Sequence, residues 1–252
     1  MTDSYVAVDL ETTGIAVKRE KIIELAMVRV ENGEIADTFH TLVNPHRQIP
    51  KRITELTGID DDMVRSAPDV GDVIDRAVDF CKDLALLGHQ VLFDYGFLLQ
   101  AAVNRTLAFE KNGIDTLRLC RAFMPLEEKK NLTNACAYFG VPQDTAHRAL
   151  SDAMAAHRLY QELKKCFGEK DAALFSEKKL LFKIKKEKAA TKRQKQHLQD
   201  LIKYHRISVT VQIESLSGNE ISRLIDRIIF THGRIPEKEG TGIKFRNADK
   251  LN

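Results

Sequence analysis

Two carboxylates near the N-terminus are spaced for chemistry. Asp9 and Glu11 follow an apolar run and precede a Thr-Thr-Gly turn. Because side chains alternate along a β-strand, both carboxylates point to the same face. Their mutual repulsion is about 4 kcal/mol at about 4 Å and an effective dielectric of about 20. A divalent cation is the usual means of offsetting such repulsion, so the pair is a candidate metal site.

Two further segments each combine a histidine with an aspartate. His89 follows an apolar strand and stands five residues before Asp94, while His147 stands five residues before Asp152. The carboxylates are hard oxygen ligands, and a neutral imidazole can accept a proton near pH 7. In α/β sheets, sites form at the C-terminal ends of strands, and the pattern places Asp9 at such an end.

The three segments form one ordered set of motifs. They are Asp-x-Glu-Thr-Thr-Gly, Gly-His-x-x-x-Phe-Asp and His-x-x-x-x-Asp. Together they resemble the exonuclease motifs of the DEDDh (DnaQ-like) 3′–5′ exonucleases, which include the epsilon proofreading subunit of DNA polymerase III. The resemblance covers roughly residues 4–165, and three motifs in order are far more specific than any one alone.

The resemblance implies a site for two divalent ions, Mg²⁺ or Mn²⁺, with Asp9 touching both. Two such ions about 3.5–4 Å apart can activate water and neutralise the leaving oxygen in phosphodiester hydrolysis. The implied metal ligands are Asp9, Glu11, Asp94 and Asp152. With His147 as general base, these residues make up the predicted catalytic set.

Helix geometry constrains where His147 can lie. Residues five apart on an ideal helix point about 140° away from each other, so His147 and Asp152 could not face one site from within a helix. We therefore expect His147 on a loop, with the helix that carries Asp152 beginning near Ala149. Taken alone, His147 would more often be an ordinary loop histidine. Asp94 alone could equally well be the N-cap of its helix.

The resemblance also implies contacts to the substrate, with the Thr-Thr-Gly turn wrapping the 3′-terminal nucleotide. The predicted substrate-binding residues are Leu10, Thr12, Thr13, Gly14, His89, Gln90 and Phe93. A tight turn and a core phenylalanine are the structural alternatives, and His89 is expected to line the site without a chemical step. Gln90 stands where the family usually has Asn, which lengthens the reach of the amide by one methylene.

The predicted fold class is α/β. Asn32-Gly33 between two apolar runs predicts a hairpin in a three-stranded antiparallel meander. Alternating strands and helices follow, so we expect a mixed five-stranded sheet flanked by helices, which agrees with the ribonuclease H-like architecture that the resemblance implies. Predicted strands are 5–11, 21–30, 34–43, 85–89 and 114–118, and predicted helices are 51–57, 69–84, 94–107, 131–139 and 149–165.

Charge divides the chain into two parts. Residues 1–165 carry 20 Lys and Arg against 25 Asp and Glu, whereas residues 166–252 carry 19 against 11. We expect an exonuclease domain over 1–167, a basic linker or helix over 168–190, and a small mainly helical module over 191–252. Within that module, the Ser217–Glu220 capping box precedes an amphipathic helix ending at His232-Gly233. A basic part suits a polyanionic partner.

Composition favours a cytoplasmic protein. No run of about 18 apolar residues predicts a membrane span, and the N-terminus lacks the pattern of a secretory signal. The four cysteines are scattered, without a Cys-x-x-Cys motif, and we expect them to be reduced. Neither a membrane nor a disulfide framework is therefore expected.

The sequence predicts a metal-dependent 3′–5′ exonuclease acting on single-stranded or frayed 3′ ends, with DNA favoured over RNA. Nucleoside monophosphates are the expected products, and a polymerase or repair protein is a candidate partner. An RNA-trimming exoribonuclease is one alternative. A catalytically silent nucleic-acid-binding module is another, although all five matched residues of the catalytic set are present.

Overall fold

The computed structural model describes residues 2–208 and 212–236. Its chain divides into two compact units. Of the described residues, the first unit contains those up to Glu187 together with Gln212, and the second contains the others from Lys188 onward. The part of the predicted C-terminal module beyond Pro236 lies outside the described residues. Throughout the described ranges, each helix is too short or too polar to cross a membrane.

A six-stranded mixed sheet forms the centre of the first unit, in the spatial order β3-β2-β1-β4-β5-β6. Strands β1, β2 and β3 are antiparallel, β1, β4 and β5 are parallel, and β6 is antiparallel to β5. The strands are β1 (Tyr5–Thr12), β2 (Ile22–Glu31), β3 (Glu34–Leu42), β4 (Ala85–Gly88), β5 (Asn112–Asp115) and β6 (Lys178–Lys179). The predicted mixed sheet is confirmed, with one strand more than expected.

The meander turns where the sequence predicts it. Asn32 and Gly33 between β2 and β3 both have positive φ, 53° and 88°. Two successive left-handed residues are the requirement of a tight hairpin turn whose twist matches that of the strands. The register pairs Glu31 with Glu34 and runs on to Glu24 opposite Leu42.

Helices cover both faces of the sheet because β1 alternates between two cores. Tyr5 and Ala7 pack with the helices of one face, and Val6 and Val8 pack with those of the other. The helices of the first unit are α1 (Lys51–Thr57), α2 (Asp61–Val64), α3 (Val70–Cys81), α4 (Val91–Asn104), α5 (Thr116–Phe123), α6 (Leu132–Phe139) and α7 (Ala149–Phe167). Their apolar stripes and the alternation of β1 therefore create a three-layer domain.

Helix α4 begins three residues earlier than the predicted start at Asp94. Its N-cap is Gln90, which has a left-handed φ of 77° and whose backbone N–H donates to Asp115 Oδ1 at 2.9 Å. Asp94 consequently lies inside the first turn and is not the N-cap. The sequence pattern missed this start because Gln is an uncommon residue in a left-handed cap.

The segment 168–190, predicted as a basic linker or helix, contributes the sixth strand. Leu180 packs over β5, where a Cβ on Gly113 would lie 2.7 Å from its Cδ2 atom. Phe175 is fully buried and stacks on Phe123, and the backbone N–H of Glu187 donates to Asn104. The sequence analysis did not predict this strand or its buried side chains, because the charge of the many lysines dominates the composition of the segment.

The second unit contains two capped helices, α8 (Lys192–His205) and α9 (Gly218–His232). Thr191 and Ser217 each form a capping box, with Gln194 and Glu220 respectively, so the predicted capping box of α9 is confirmed. The facing apolar stripes form a small core whose buried members are Leu198, Leu201, Ile221 and Ile228.

Candidate active site

The C-terminal half of β1 brings Asp9 and Glu11 to the α7 side of the sheet. Tyr5 and Ala7 pack against α7, and Asp9 and Glu11 continue the same alternating series. Glu11 is buried and Asp9 is half-buried. The predicted sharing of one face by the two carboxylates therefore agrees with the strand observed.

Asp94 approaches the same strand from the opposite layer. It is buried in the first turn of α4, and its Oδ1 accepts the backbone N–H of Leu10 at 3.1 Å. The side chain of Leu10 packs in the apolar core. The backbone of Leu10 thus fixes the Asp94 carboxylate between the two acidic residues of β1.

His147 and Asp152 complete the cluster from the start of α7. Ligand atoms of Glu11, His147 and Asp152 all lie within 4.8 Å of one another. His147 is exposed on the loop before Ala149 with a left-handed φ of 61°, and its backbone N–H donates to Asp152 Oδ2 at 3.0 Å. The loop placement expected from helix geometry is what allows both side chains to face Glu11.

Crowding of carboxylates raises their pKa values. Desolvation, followed by the charges of Asp94, Asp152 and Glu11, holds the pKa of Asp9 well above its usual range. Burial and the charges of Asp152 and Glu24 raise the pKa of Glu11 to about 8. Burial also raises the pKa values of Asp94 and Asp152. With all of its carboxylates ionised, the cluster would therefore hold more negative charge than the protein alone neutralises.

An ion pair between the buried Glu24 and the half-buried Arg148 was missed by the sequence analysis. Arg148 Nη2 donates to Glu24 Oε1 at 2.8 Å, and the backbone N–H of Ala149 donates to Glu24 Oε2 at 2.9 Å. Burial alone would raise the pKa of Glu24, but hydrogen bonds from Arg148, Ala149 and His40 lower it. A charged residue inside the apolar run of β2 was the signal available in the sequence.

Asp152 also has a partner that the motifs do not contain. Gln143 Nε2 donates to Asp152 Oδ1 at 2.7 Å, while the other carboxylate oxygen accepts the N–H of His147. Both oxygens of Asp152 are thereby oriented by hydrogen bonds. Gln143 lies on the loop after α6, nine residues before its partner, where no spacing rule would single it out.

The Thr-Thr-Gly turn is held by its own hydrogen bonds. Thr12 Oγ1 donates to Gly14 O at 2.8 Å, and Thr13 Oγ1 donates to Glu20 at 2.8 Å. Thr13 Oγ1 also accepts the backbone N–H of Lys21. Both hydroxyls thus have protein partners, and the turn lies directly after Glu11.

His89 is tied into the fold, whereas Gln90 and Phe93 lie at the start of α4. The two ring nitrogens of His89 contact Thr116 Oγ1 at 3.0 Å and the carbonyl of Lys130 at 2.6 Å, and burial lowers its pKa. Gln90 is exposed. Phe93 is half-buried and packs against the core, 5.1 Å from the ring of Phe97.

The donor set fits hard divalent cations. The carboxylates of Glu11 and Asp152 lie beside the imidazole of His147, and those of Asp9 and Asp94 are within electrostatic range of this group. Oxygen-rich sites of this kind suit Mg²⁺ or Mn²⁺. The raised pKa values have the same implication, because a bound cation would favour the ionised form of every carboxylate in the cluster.

Comparison with known proteins identifies the family. The RNase_T family model, described as an exonuclease, matches residues 6–160. The DNA polymerase III PolC-type of Bacillus subtilis (strain 168) is 41% identical over 171 residues, which are 67% of this chain and 12% of that protein. The chain thus corresponds to a small part of the curated relatives that it matches.

Solved structures agree with the sequence match. Exonuclease X, solved in complex with 5′ overhanging duplex DNA, aligns with a TM-score of 0.52 at 25% identity, covering 65% of this chain and 93% of that one. The nuclease domain of 3′hExo, a DEDDh family member bound to rAMP, aligns with a TM-score of 0.57 at 22% identity, covering 71% and 98%, and supports the fold. The chain therefore belongs to the exonuclease family that the RNase_T model describes.

Proposed function

We propose that the protein removes nucleotides one at a time from single-stranded or frayed 3′ ends of DNA, releasing nucleoside monophosphates with the help of two divalent ions. The observation that carries this proposal is the convergence of the β1, α4 and α7 carboxylates beside the exposed imidazole of His147. In this proposal the metal ligands are Asp9, Glu11, Asp94 and Asp152.

Each protein group has a separate part in the proposed reaction. Bound divalent ions would supply charge neutralisation and a more acidic water molecule. The His147 imidazole, exposed next to Glu11 and Asp152, accepts the proton of the attacking water. The Leu10 N–H and Gln143 hold the Asp94 and Asp152 carboxylates in fixed orientations, so that little reorganisation is needed when the substrate arrives.

Contacts to the substrate strand are proposed for the rim of the site. The Thr12–Gly14 turn offers backbone groups next to Glu11, and Gln90 offers an exposed amide at the start of α4. Phe93 is placed to contact a base edge with the exposed part of its ring. Leu10 contributes through its backbone, because its side chain packs in the core. His89 contributes by supporting the fold around the site, because both of its ring nitrogens form hydrogen bonds within the protein.

DNA is favoured as the substrate by the relatives named above. They include a DNA polymerase III and an exonuclease solved with DNA. Single strands are favoured because a duplex end would first have to unpair, which costs a few kcal/mol. Mg²⁺ and Mn²⁺ are both candidates for the metal.

A role in proofreading or repair follows from the same relatives, and a polymerase or repair protein is the proposed partner. The matched region is about an eighth of the PolC-type protein, so any polymerase activity belongs to another chain or another part of the chain. The bacterial origin of these relatives favours the cytoplasm as the location.

Degradation of 5′-labelled single strands tests the proposal. DNA and RNA of one sequence are incubated with Mg²⁺ or Mn²⁺ and with wild type or Asp9→Asn. We expect a ladder that shortens from the 3′ end of DNA and disappears with EDTA or in the variant. Faster shortening of RNA would favour an exoribonuclease, and binding without cleavage of either strand would favour the silent binding module.

A further inference from the structure

Glu24 forms an unusually complete set of contacts for a group outside the proposed catalytic set. Its side chain is 0% exposed. Its two oxygens accept hydrogen bonds from Arg148 Nε and Nη2, from the backbone N–H of Ala149 and from His40 Nε2, all at 2.8–3.3 Å. A buried carboxylate is costly unless it is fully paired, and replacing a whole buried ion pair by apolar residues is often neutral for stability. A role besides stability is therefore worth seeking.

The partners of Glu24 follow His147 directly in the chain. His147 has a left-handed φ of 61°, a strained conformation for a non-glycine residue that persists only where the surroundings hold it. Asp152 holds the N–H of His147, and Glu24 holds both the side chain of Arg148 and the N–H of Ala149. The backbone is thus anchored at the left-handed residue itself and directly after it.

We propose that Glu24 is a positioning residue that keeps the His147 imidazole at the reaction site. The inference rests on the proposed function, in which His147 is the general base. Glu24 acts as a distant cap for the first N–H of α7, supplied by β2 across 125 positions of sequence. It also holds the guanidinium of Arg148 by hydrogen bonds, and this cation lies within electrostatic range of Glu11.

A double-mutant cycle separates positioning from simple structural support. Glu24→Gln is expected to lower kcat on single-stranded DNA about tenfold with a KM within about twofold of wild type. In a His147→Ala background the same substitution should cost nothing further, because the group that it positions is already gone. The matched control is Asp37→Asn. Asp37 is an exposed carboxylate on β3 that pairs with Arg29 of β2, and its replacement should leave kcat unchanged.

Three outcomes overturn this proposal. Equal losses from Glu24→Gln in both backgrounds would mean that it supports the metal ligands or the fold. An unchanged kcat for Glu24→Gln would remove the role altogether, and full activity of His147→Ala would overturn the general base together with it. Should Glu24→Gln not fold, Arg148→Gln breaks the same clamp while leaving the Ala149 cap, and the same lack of additivity is expected.

A separate observation concerns α9 in the second unit. Arg223, Arg227 and Phe230 stand at i, i+4 and i+7, so they form one stripe along the exposed side of the helix, called here the arginine stripe. Within the described residues, neither guanidinium has an ion-pair or hydrogen-bond partner. Phe230 is 93% exposed, more than any other large hydrophobic side chain described.

The arginine stripe does not serve the stability of α9. Like charges at i and i+4 destabilise a helix, and an exposed Phe side chain buries little apolar surface. The helix is instead stabilised by its capping box and by the apolar face that includes Ile221 and Ile228. The described part of this unit carries nine Lys and Arg against four Asp and Glu, so the stripe lies in a positive field.

We infer that the arginine stripe binds single-stranded nucleic acid, with the two guanidinia on phosphates and Phe230 stacked on a base. Cationic side chains interleaved with an aromatic are the usual means of gripping a single strand without sequence preference. The proposal stands independently of the active site, because it concerns binding by a unit that contains none of the catalytic set.

Binding to a fluorescent oligothymidine in EDTA tests the arginine stripe in the full chain carrying Asp9→Asn. Adding Arg223→Glu with Arg227→Glu is expected to weaken binding at least tenfold at low salt and to make its salt dependence shallower. Phe230→Ala should weaken binding about fivefold or more with the salt dependence unchanged. The control, Lys51→Glu with Lys165→Glu, changes the net charge equally on exposed sites of the first unit.

An equal loss in the control would overturn the inference, since general charge would then explain the binding. Unchanged binding in both stripe variants would also overturn it. In that case, loss of a copurifying protein from the stripe variants would indicate that the stripe is a protein interface instead.

Discussion

Glu11 and Glu24 are direct cross-strand partners on β1 and β2, and the site gives their carboxylates opposite pKa shifts. The pKa of Glu11 is raised to about 8, whereas that of Glu24 is lowered. Burial is the largest cause of the raised pKa of Glu11, and the charge of Arg148 opposes it only in part. Glu24 instead accepts hydrogen bonds from Arg148, Ala149 and His40, which together lower its pKa. Glu24 is paired with a cation of the protein, Arg148, whereas Glu11 belongs to the cluster that we expect to bind metal ions.

Metal dependence of stability should therefore change with pH. A carboxyl whose pKa is raised by folding stabilises the fold fully below its unfolded pKa, and that stabilisation is lost as the pH rises through the folded pKa. For Glu11 this window runs from 4.5 to about 8. The raised pKa values of Asp9 and Asp94 act in the same direction. Metal-free protein should thus be less stable at pH 8 than at pH 6.

Thermal unfolding in EDTA and in Mg²⁺ measures this effect. We expect Mg²⁺ to raise Tm about 5 °C more at pH 8 than at pH 6, which corresponds to roughly 2 kcal/mol for a chain of this size. The double variant Asp9→Asn with Glu11→Gln should lose most of the difference. A Mg²⁺ effect that is the same at both pH values would contradict the prediction.

Two substitutions at Asp94 should separate metal binding from local structure. An amide oxygen at this position can still accept the N–H of Leu10, so Asp94→Asn should abolish turnover while leaving Tm nearly unchanged. Asp94→Ala removes the acceptor as well and should lose about 1–3 kcal/mol of stability. Urea unfolding with a parallel activity assay distinguishes them, and equal stability of both variants would mean that the Leu10 bond contributes nothing.

Phe175 should be a large contributor to the stability of the first unit although it lies beyond the matched motifs. It is fully buried between Phe123 and Tyr160, so Phe175→Ala is expected to cost about 3–4 kcal/mol. Phe230→Ala, at an exposed site, is the matched control and should leave the free energy of unfolding within about 0.5 kcal/mol of wild type. A small loss for Phe175→Ala would mean that residues 168–187 are dispensable.

Gln90→Asn should affect substrate contacts more than chemistry. Asn tolerates left-handed backbone better than Gln does, so the cap of α4 should be retained or slightly stabilised. The shorter amide changes what the side chain can reach at the rim, and we expect a change in KM for single-stranded DNA with kcat within about twofold. Steady-state kinetics on one oligonucleotide measures both, and a large fall in kcat would instead place Gln90 in the chemical step.

Much of the fold followed from local patterns. The Asn32-Gly33 turn, the capping box of α9 and the start of α7 depend on interactions between residues close in sequence. The sharing of one face by Asp9 and Glu11 follows from strand alternation alone. Their assembly with Asp94 and His147 could be anticipated only by resemblance, because no local rule brings together residues that are separated by 83 to 138 positions.

The features that the sequence analysis missed depend on residues that are far apart in the chain. Glu24 looked like one polar residue in a buried strand until Arg148 and Ala149 were placed beside it. The start of α4 at Val91 depends on Asp115 accepting the N–H of a left-handed Gln90. Each is a pairing between separate elements, and such pairings leave no periodic trace along the chain.

The sixth strand has a consequence for moving this nuclease between polypeptides. The family match ends at residue 160, whereas the sheet is completed by Lys178–Lys179, and the contacts of the first unit continue to Glu187. A chimaera joined just after α7 would leave the edge of β5 uncovered and ready to pair with foreign strands. The junction of such a chimaera should therefore be placed after Glu187.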